Sequence, residues 1–344
     1  MGYSLPTYSA AIDSAFVRTW YEIRAEAIDN ILNATPVWAA LKMKGCFVTQ
    51  TGGTKIERTI RHSVGPTPKA VKKGVTLPSG EVDTKTAAFW TWRYVATHIQ
   101  RNLFDDQQNS GKFRIVSYVQ DRIQEARDAL VQKFETDTLR AHDTAETSDE
   151  IQALNDLVPP IATATTGTFG GITRPATYTA AADGTTLVPL TGNTFWGPKY
   201  YRGVPDMELN LRQDMNHLWN TLDMNQGEYP DLLLTTQEVY EAYEEFAADK
   251  SQIVKDAGSQ MADLGFGVLR FKGQPFVWTP NMTANNVLML NTRWIEVVYD
   301  PQMWFDMTPW KDSSADDATR IAHIICAMNM ITKQPRRHGR LYYA

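Results

Sequence analysis

The side chains that could carry chemistry are present in this 344-residue chain, but they do not form catalytic patterns. Neighbouring acids such as Asp105-Asp106 and Asp316-Asp317 point apart on a helix or a strand, so they make poor acid–base pairs. The nearest approach to a phosphate-binding loop, Gly265-Phe266-Gly267, lacks a third glycine and a following helix. The histidines are scattered: His62, His98, His142, His217, His323 and His338. We therefore predict no catalytic, cofactor-binding or metal-binding residues.

The composition sets limits on partners and on the cellular compartment. Hydrophobic residues make up 43% of the chain and charged residues 21%, which allows one large or two medium cores. A net charge of −5 argues against a protein whose whole surface binds nucleic acid. Cys46 and Cys326 show no pairing pattern, which favours a reducing compartment. No apolar run approaches the roughly 20 residues that span a bilayer, so we predict no membrane contact.

A long two-stranded hairpin is predicted for residues 47–100. Segments of alternating β-forming and polar residues flank a stretch rich in Pro, Gly and Lys at 64–81. Because an isolated hairpin is marginally stable in water, we expect a partner surface to cover it. The residues suited to that interface are Trp90, Trp92 and Tyr94 on the return strand and Lys69, Lys72 and Lys73 at the tip. The alternative is a hairpin folded onto its own domain.

A long helix is predicted after the hairpin. From Lys112 to Val158 there is no glycine and no proline, so nothing breaks a helix. An apolar stripe at spacings of three and four consists of Val116, Val119, Ile123, Ala126, Leu130 and Phe134. Thirty helical residues make a rod roughly 45 Å long. We predict a strut over 111–143; an ordinary long bundle helix is the alternative.

The two ends of the chain are also candidate contact regions. Residues 10–33 predict a helix with Trp20 on its apolar stripe, an arm that another surface or its own subunit would cover. The segment 333–340 is basic. Its Arg336 and Arg337 are predicted to contact an acidic neighbour or packaged nucleic acid, and a solvated tail is the alternative.

The region 190–300 alternates helices with short strands, which predicts an α+β arrangement. Helices are expected at 205–222 and 237–248, a hairpin at 265–279, and strands at 231–235, 287–290 and 294–299. Further along, 318–332 gives a mixed signal for strand or helix, and a strand is favoured for 321–328. Thr235 and Glu238 have the spacing of a capping box for the second of these helices.

Several short segments, taken in order, carry a family resemblance. Gly170-Gly171-Ile172-Thr173-Arg174 is followed by Phe195-Trp196, and Pro230-Asp231-Leu232 opens a stretch that continues to Tyr240 and Tyr243. Pro280-Asn281-Met282 and Leu290-Asn291-Thr292 come next. With the order of arm, hairpin, long helix and α+β module, the chain resembles, over essentially its whole length, the major capsid proteins of tailed bacteriophages with the HK97-type fold.

The resemblance implies a division of the chain. It comprises an N-terminal arm at 1–46, an E-loop hairpin at 47–100, a peripheral domain with a spine helix at 101–158, an axial domain at 159–300, and a return to the peripheral domain with a C-terminal tail at 301–344. Some relatives cross-link an E-loop lysine to a neighbour's asparagine. No acceptor is identified here, so the cross-link is not carried over.

The resemblance also implies partners. The chain would form hexamers and pentamers of an icosahedral shell, with the E-loop of each copy lying over its neighbour. The shell would enclose double-stranded DNA held by non-specific proximity. A separate scaffolding protein, a portal and decoration proteins are further expected partners. The protein would be found in the virion capsid after assembly in the host bacterial cytoplasm.

Three other functions remain open at this point. The first is an encapsulin-like compartment, in which the same fold encloses an enzyme cargo. The second is a soluble α+β enzyme with an unrecognised site, which a buried pocket with converging perturbed acids and bases would favour. The third is a tail or baseplate structural protein. Packaged DNA, a cargo protein, or particle shape would distinguish these classes.

Overall fold

The computed structural model describes most of the chain from residue 36 onward. The described residues are 36–63, 65, 70–74, 82–102, 112–143, 146, 148–180, 186–203, 207–222, 228–249, 269–282, 285–312 and 319–343. The predicted helix at 10–33 with Trp20, and Lys69 at the hairpin tip, lie outside these ranges.

Five α-helices and eighteen strands are found in the described residues. The helices are α1 (Pro36–Met43), α2 (Lys112–Leu139), α3 (Leu154–Leu157), α4 (Met207–Leu222) and α5 (Gln237–Asp249). The strands in the first half are β1 (Phe47–Thr49), β2 (Ile56–Arg61), β3 (Lys85–Trp90), β4 (Arg93–Asn102), β5 (Thr168–Phe169), β6 (Ile172–Thr173), β7 (Thr177–Ala180), β8 (Thr186–Thr191) and β9 (Lys199–Arg202). Those in the second half are β10 (Leu232–Thr235), β11 (Arg270–Phe271), β12 (Gln274–Trp278), β13 (Asn286–Leu290), β14 (Ile295–Tyr299), β15 (Asp306–Met307), β16 (Lys311–Asp312), β17 (Thr319–Thr332) and β18 (Gly339–Tyr342).

The first sheet has six strands and is built around β17. Its path runs β1-β14-β17-β15, and β16 and β4 also pair with β17. The pairing of β17 with β4 is antiparallel and continuous from Thr319 opposite Asn102 to Met328 opposite Arg93. The strand predicted at 321–328 is therefore confirmed, and it extends further at both ends.

Helix α2 confirms the predicted long helix, and it packs against β4 of the first sheet. The apolar side chains Ile123, Ala126, Leu130 and Phe134 are all buried in the core, as their spacing requires. At the C-terminal end of α2, Phe134 contacts Trp38 of α1, with ring centroids 5.7 Å apart. The helix therefore ties the start of the described chain to the first sheet.

The second sheet has eight strands in the order β11-β12-β10-β13-β18-β9-β8-β7. Helices α4 and α5 cover one of its faces with a separate apolar cluster that includes Met215, Leu218 and Phe276. The predicted helices and short strands of this region are confirmed. The capping box is wrong, because helix α5 begins at Gln237 and Thr235 is still part of β10, where its hydroxyl donates to the Asn286 carbonyl at 3.1 Å.

The C-terminal segment is divided between the two sheets. Strand β17 belongs to the first sheet, while β18 lies between β13 and β9 in the second. The expected return of 301–344 to a peripheral domain stays a prediction. Within the described chain, no helix combines the length and apolar character that a bilayer crossing requires.

Candidate functional site

The predicted hairpin is confirmed as the two-stranded sheet of β2 and β3. The strands pair antiparallel from Ile56 opposite Trp90 to Arg61 opposite Lys85. The flanking strands are held elsewhere, because β1 pairs with β14 and β4 pairs with β17. Among the described strands β2 and β3 pair only with each other, and Ile56, Ile60 and Ala88 on one face of the pair are buried in the core of their own chain.

Trp90 fixes the base of the hairpin. Its side chain is only 2% exposed and lies edge-on to Phe169, with ring centroids 5.8 Å apart, and against Trp196 at 6.4 Å. Trp196 is itself oriented, because its indole N–H donates to the Phe169 carbonyl at 2.8 Å. The prediction that Trp90 anchors a neighbouring subunit is wrong, since its ring is enclosed by its own chain.

The Gly170-Gly171 turn between β5 and β6 supports this contact. Both glycines have positive φ, +59° and +72°, which is costly for other residues. The Gly170 carbonyl accepts the Phe89 N–H at 2.9 Å, and its own N–H donates to Glu146 Oε1 at 2.9 Å. The sequence drew attention to this turn by resemblance alone; its physical role is to hold strand β3.

Other aromatic side chains near the hairpin face outward. Tyr94 on β4 is 58% exposed and Phe89 on β3 is 43% exposed. Trp92 is half-buried, and its indole N–H donates to the Gly53 carbonyl at 2.8 Å. At the tip, Lys72 and Lys73 are exposed. The interface prediction for Trp92, Tyr94, Lys72 and Lys73 stays a prediction.

The basic segment near the C-terminus is largely internal. Arg337 is buried and its Nη2 atom lies 2.6 Å from Glu228 Oε2, so its predicted contact with another molecule is wrong. Arg336 is half-buried, and burial together with the nearby Arg337 lowers its pKa. Burial, reinforced by the charges of Arg337 and Arg336, also lowers the pKa of Lys199 to about 8. The Lys199 ammonium donates to the Thr221 carbonyl.

Strongly perturbed titratable groups are dispersed over the described chain. Burial raises the pKa of Cys46 to about 12, which keeps the thiol protonated. Burial also raises the pKa of Glu135 on α2 to about 7 and lowers that of His338, just before β18, to about 3. The described residues contain no group of three metal-binding side chains. These perturbations arise from burial within the fold.

Comparison with known proteins gives a result at the level of structure. No family model and no curated protein sequence matches the chain. The cyanophage A-1(L) capsid asymmetric unit matches with a TM-score of 0.59 and 14% identity, covering 88% of this chain and 92% of that one. The capsid of a native GTA particle matches at 0.52 and 10% identity, covering 88% and 90%. A structure from Mycobacterium phage Bobi matches at 0.51 and 11%, covering 88% and 89%.

The chain has the HK97-like capsid fold. The predicted fold class is therefore confirmed. In this HK97-like chain, the residues that fix the base of the hairpin are Trp90, Phe169, Gly170 and Trp196. Sequence reasoning missed their joint role, although the paired glycines followed by β-branched Ile172 and Thr173 are a signal for a tight hairpin turn.

Proposed function

We propose that this chain is a major capsid protein that assembles into hexamers and pentamers of an icosahedral shell enclosing double-stranded DNA. The observation that carries the proposal is the HK97-like fold, which extends over 88% of the chain in matches to capsid structures. The role is structural rather than enzymatic, and the location is the virion capsid after assembly in the host cytoplasm.

The outer surface of the hairpin supports self-assembly. Large apolar side chains are left on its surface: Phe89, Val71 and Val82 are each more than two-fifths exposed. A rigid base at Trp90 presents these side chains without a large ordering cost, and preorganisation of this kind favours association. We infer that the hairpin is an E-loop lying over a neighbouring copy, with Trp92, Tyr94, Lys69, Lys72 and Lys73 in the contact.

Repetition would make modest contacts sufficient. Each copy in a ring contacts its two neighbours through two different surfaces. Such contacts are heterologous, and they form a closed assembly when the rotation between copies closes the ring. Linked contacts then gain strength from effective concentration rather than from any single tight interface. A net charge of −5 limits adhesion to the enclosed DNA, which is consistent with non-specific proximity to the genome.

Negative-stain microscopy of the purified full chain tests the proposal. We expect rings and closed icosahedral shells, with size-exclusion chromatography showing a shift from free subunits to capsomers as concentration rises. A chain that stays monomeric at high concentration would contradict self-assembly. The contents of particles purified from native lysate are identified next. Enclosed DNA together with a portal supports the capsid proposal, whereas an enclosed cargo protein indicates an encapsulin-like compartment. Separate scaffolding and decoration proteins would be identified in the same particles.

A further inference from the structure

Two exposed histidines lie directly opposite each other on the first sheet. His98 on β4 and His323 on β17 are register partners in the antiparallel pairing of these strands. Both side chains are exposed, whereas their chain neighbours Ile99 and Ala322, also register partners, are buried on the other face. Because residues directly opposite in an antiparallel pair share a face, both imidazoles rise from the same exposed face of the sheet.

Backbone hydrogen bonds show how close this pair is. The His323 N–H donates to the Thr308 hydroxyl at 2.9 Å, and the His323 carbonyl accepts the Thr308 N–H at 2.8 Å. Both backbone groups of His323 therefore point away from β4, toward the segment that follows β15. His98 and His323 are thus a non-hydrogen-bonded pair, the kind whose Cα atoms are about 4.5 Å apart and whose side chains are closest. One nitrogen of each ring can reach a shared ion.

The two imidazoles have no other role in the described chain. Neither side chain makes a hydrogen bond, an ion pair or a ring contact with a described residue. The other four histidines are hydrogen-bonded or stacked on aromatic rings: His62, His142, His217 and His338. Imidazole is the commonest metal ligand in proteins, so an unused pair at this spacing is a candidate cation site.

We propose that His98 and His323 together bind one divalent cation of the zinc, nickel and copper class. These cations prefer imidazole nitrogen, whereas Mg²⁺ and Ca²⁺ prefer oxygen ligands. The described chain contains no group of three metal-binding side chains, so water completes the coordination. The two histidines are far apart along the chain, which is why no sequence motif indicates the pair.

The cation would clamp β4 to the centre of the first sheet. Among the described strands β4 pairs only with β17, and it follows the hairpin strand β3 directly. The two ligands lie on different strands and meet only in the folded chain, where the second imidazole binds at a high effective concentration. Binding to the native state then stabilises the fold and the strand that leaves the hairpin.

Equilibrium dialysis of the untagged full chain against zinc, nickel or magnesium chloride tests the site. The natural chain should hold one Zn²⁺ or one Ni²⁺ per copy at saturation, and magnesium should not compete. The midpoint of thermal unfolding should also rise with zinc concentration until the site is filled. A natural chain that retains no Zn²⁺ or Ni²⁺, or that retains Mg²⁺ equally well, would overturn the proposal.

Two variants and one control assign the binding to this pair. His98→Gln and His323→Gln each leave a single imidazole, so each should lower the affinity for Zn²⁺ about tenfold or more. Both positions are exposed, so neither variant should change the melting temperature when no metal ion is added. His217→Gln, which removes a histidine of α4 that stacks on Tyr201, should bind Zn²⁺ like the natural chain.

The comparison of these variants also decides against the site if the pair does not act as a unit. Natural affinity in either His98→Gln or His323→Gln would overturn the proposal, and so would an equal loss in His217→Gln. Dialysis measures the cation held by free copies as well as by assembled ones. Failure of this proposal is therefore distinguishable from failure of the capsid proposal.

Discussion

A Cβ atom added to Gly170 would lie 2.7 Å from the Trp90 ring. The glycine also has a φ of +59°, so both its backbone shape and its missing side chain are required. We predict that Gly170→Ala destabilises the fold by about 2–4 kcal/mol, from left-handed strain plus overpacking. Chemical denaturation measures the loss, and limited proteolysis should show earlier cleavage within the hairpin.

Gly273→Ala is the matched control for this substitution. Gly273 also has a positive φ, +82°, but a Cβ there would meet nothing within 4 Å. Gly273→Ala should therefore lower the free energy of unfolding by only about 1 kcal/mol, from backbone strain, and leave cleavage of the hairpin unchanged. Equal losses in the two variants would show that the Trp90 contact contributes nothing measurable.

Tyr94 offers a test of the outer face of β4 that leaves the fold intact. Because the side chain is 58% exposed, Tyr94→Ser should change the melting temperature little. If the ring packs on a neighbouring copy, the concentration needed for capsomer formation should rise about tenfold or more. Sedimentation velocity gives this concentration, and Tyr94→Phe, which keeps the ring, should assemble normally. Unchanged assembly of Tyr94→Ser would remove Tyr94 from the interface.

His338 should make the fold sensitive to acid. The imidazole is fully buried; Nδ1 accepts the Asn291 N–H at 3.2 Å and Nε2 lies 2.9 Å from the Thr332 hydroxyl. Since that hydroxyl donates to the Trp294 carbonyl, Nε2 carries the ring's single proton. The neutral ring is thus fully satisfied, and protonation would break the bond from Asn291.

The direction of this pH effect follows from the pKa of about 3, below the ordinary value of 6.5. Between these values the unfolded chain binds the extra proton, so stability is complete above pH 6.5 and falls as pH decreases, by up to about 1.4 kcal/mol per unit. His338→Gln should lose this slope in denaturation curves taken from pH 7 to 4. His98→Gln, at an exposed position, should retain it. An identical slope in both variants would assign the effect elsewhere.

Glu135 should have the opposite effect at neutral pH. Burial raises the pKa of its carboxyl to about 7, although a hydrogen bond with Thr279 acts in the opposite direction. Folding therefore favours the protonated form, and the stability it contributes below pH 4.5 is lost as pH rises through 7. Glu135→Gln should be more stable than the natural chain at pH 8, by about 2 kcal/mol, and similar at pH 4. A lower melting temperature of Glu135→Gln at pH 8 would contradict this.

Local patterns predicted the elements well. The spacing of Ile123, Ala126, Leu130 and Phe134 predicted helix α2, and alternation in the sequence predicted the hairpin. The segment that forms β17 gave a mixed helix and strand signal, and the favoured strand is the one found. These signals depend on neighbours in the chain, which is why they can be read without tertiary structure.

Long-range partners were not predictable from those patterns. Trp90 was expected outside because its hairpin appeared unsupported, but Phe169 and Trp196 enclose it from distant parts of the chain. Arg337 was expected in a basic tail because the surrounding residues are charged. In the structure its buried guanidinium forms a salt bridge with Glu228. Exposure depends on which segments meet, and a single sequence contains little information on that.

The position of β18 has a consequence for biosynthesis. Strands β9 and β13 are made long before residues 339–342, yet β18 is the piece that joins them. During synthesis, the two parts of this sheet cannot pair through β18 until residues 339–342 have been made. A prematurely terminated polypeptide would therefore keep an open seam through its second sheet, and translation errors of this kind would be excluded from any assembly that requires the completed surface.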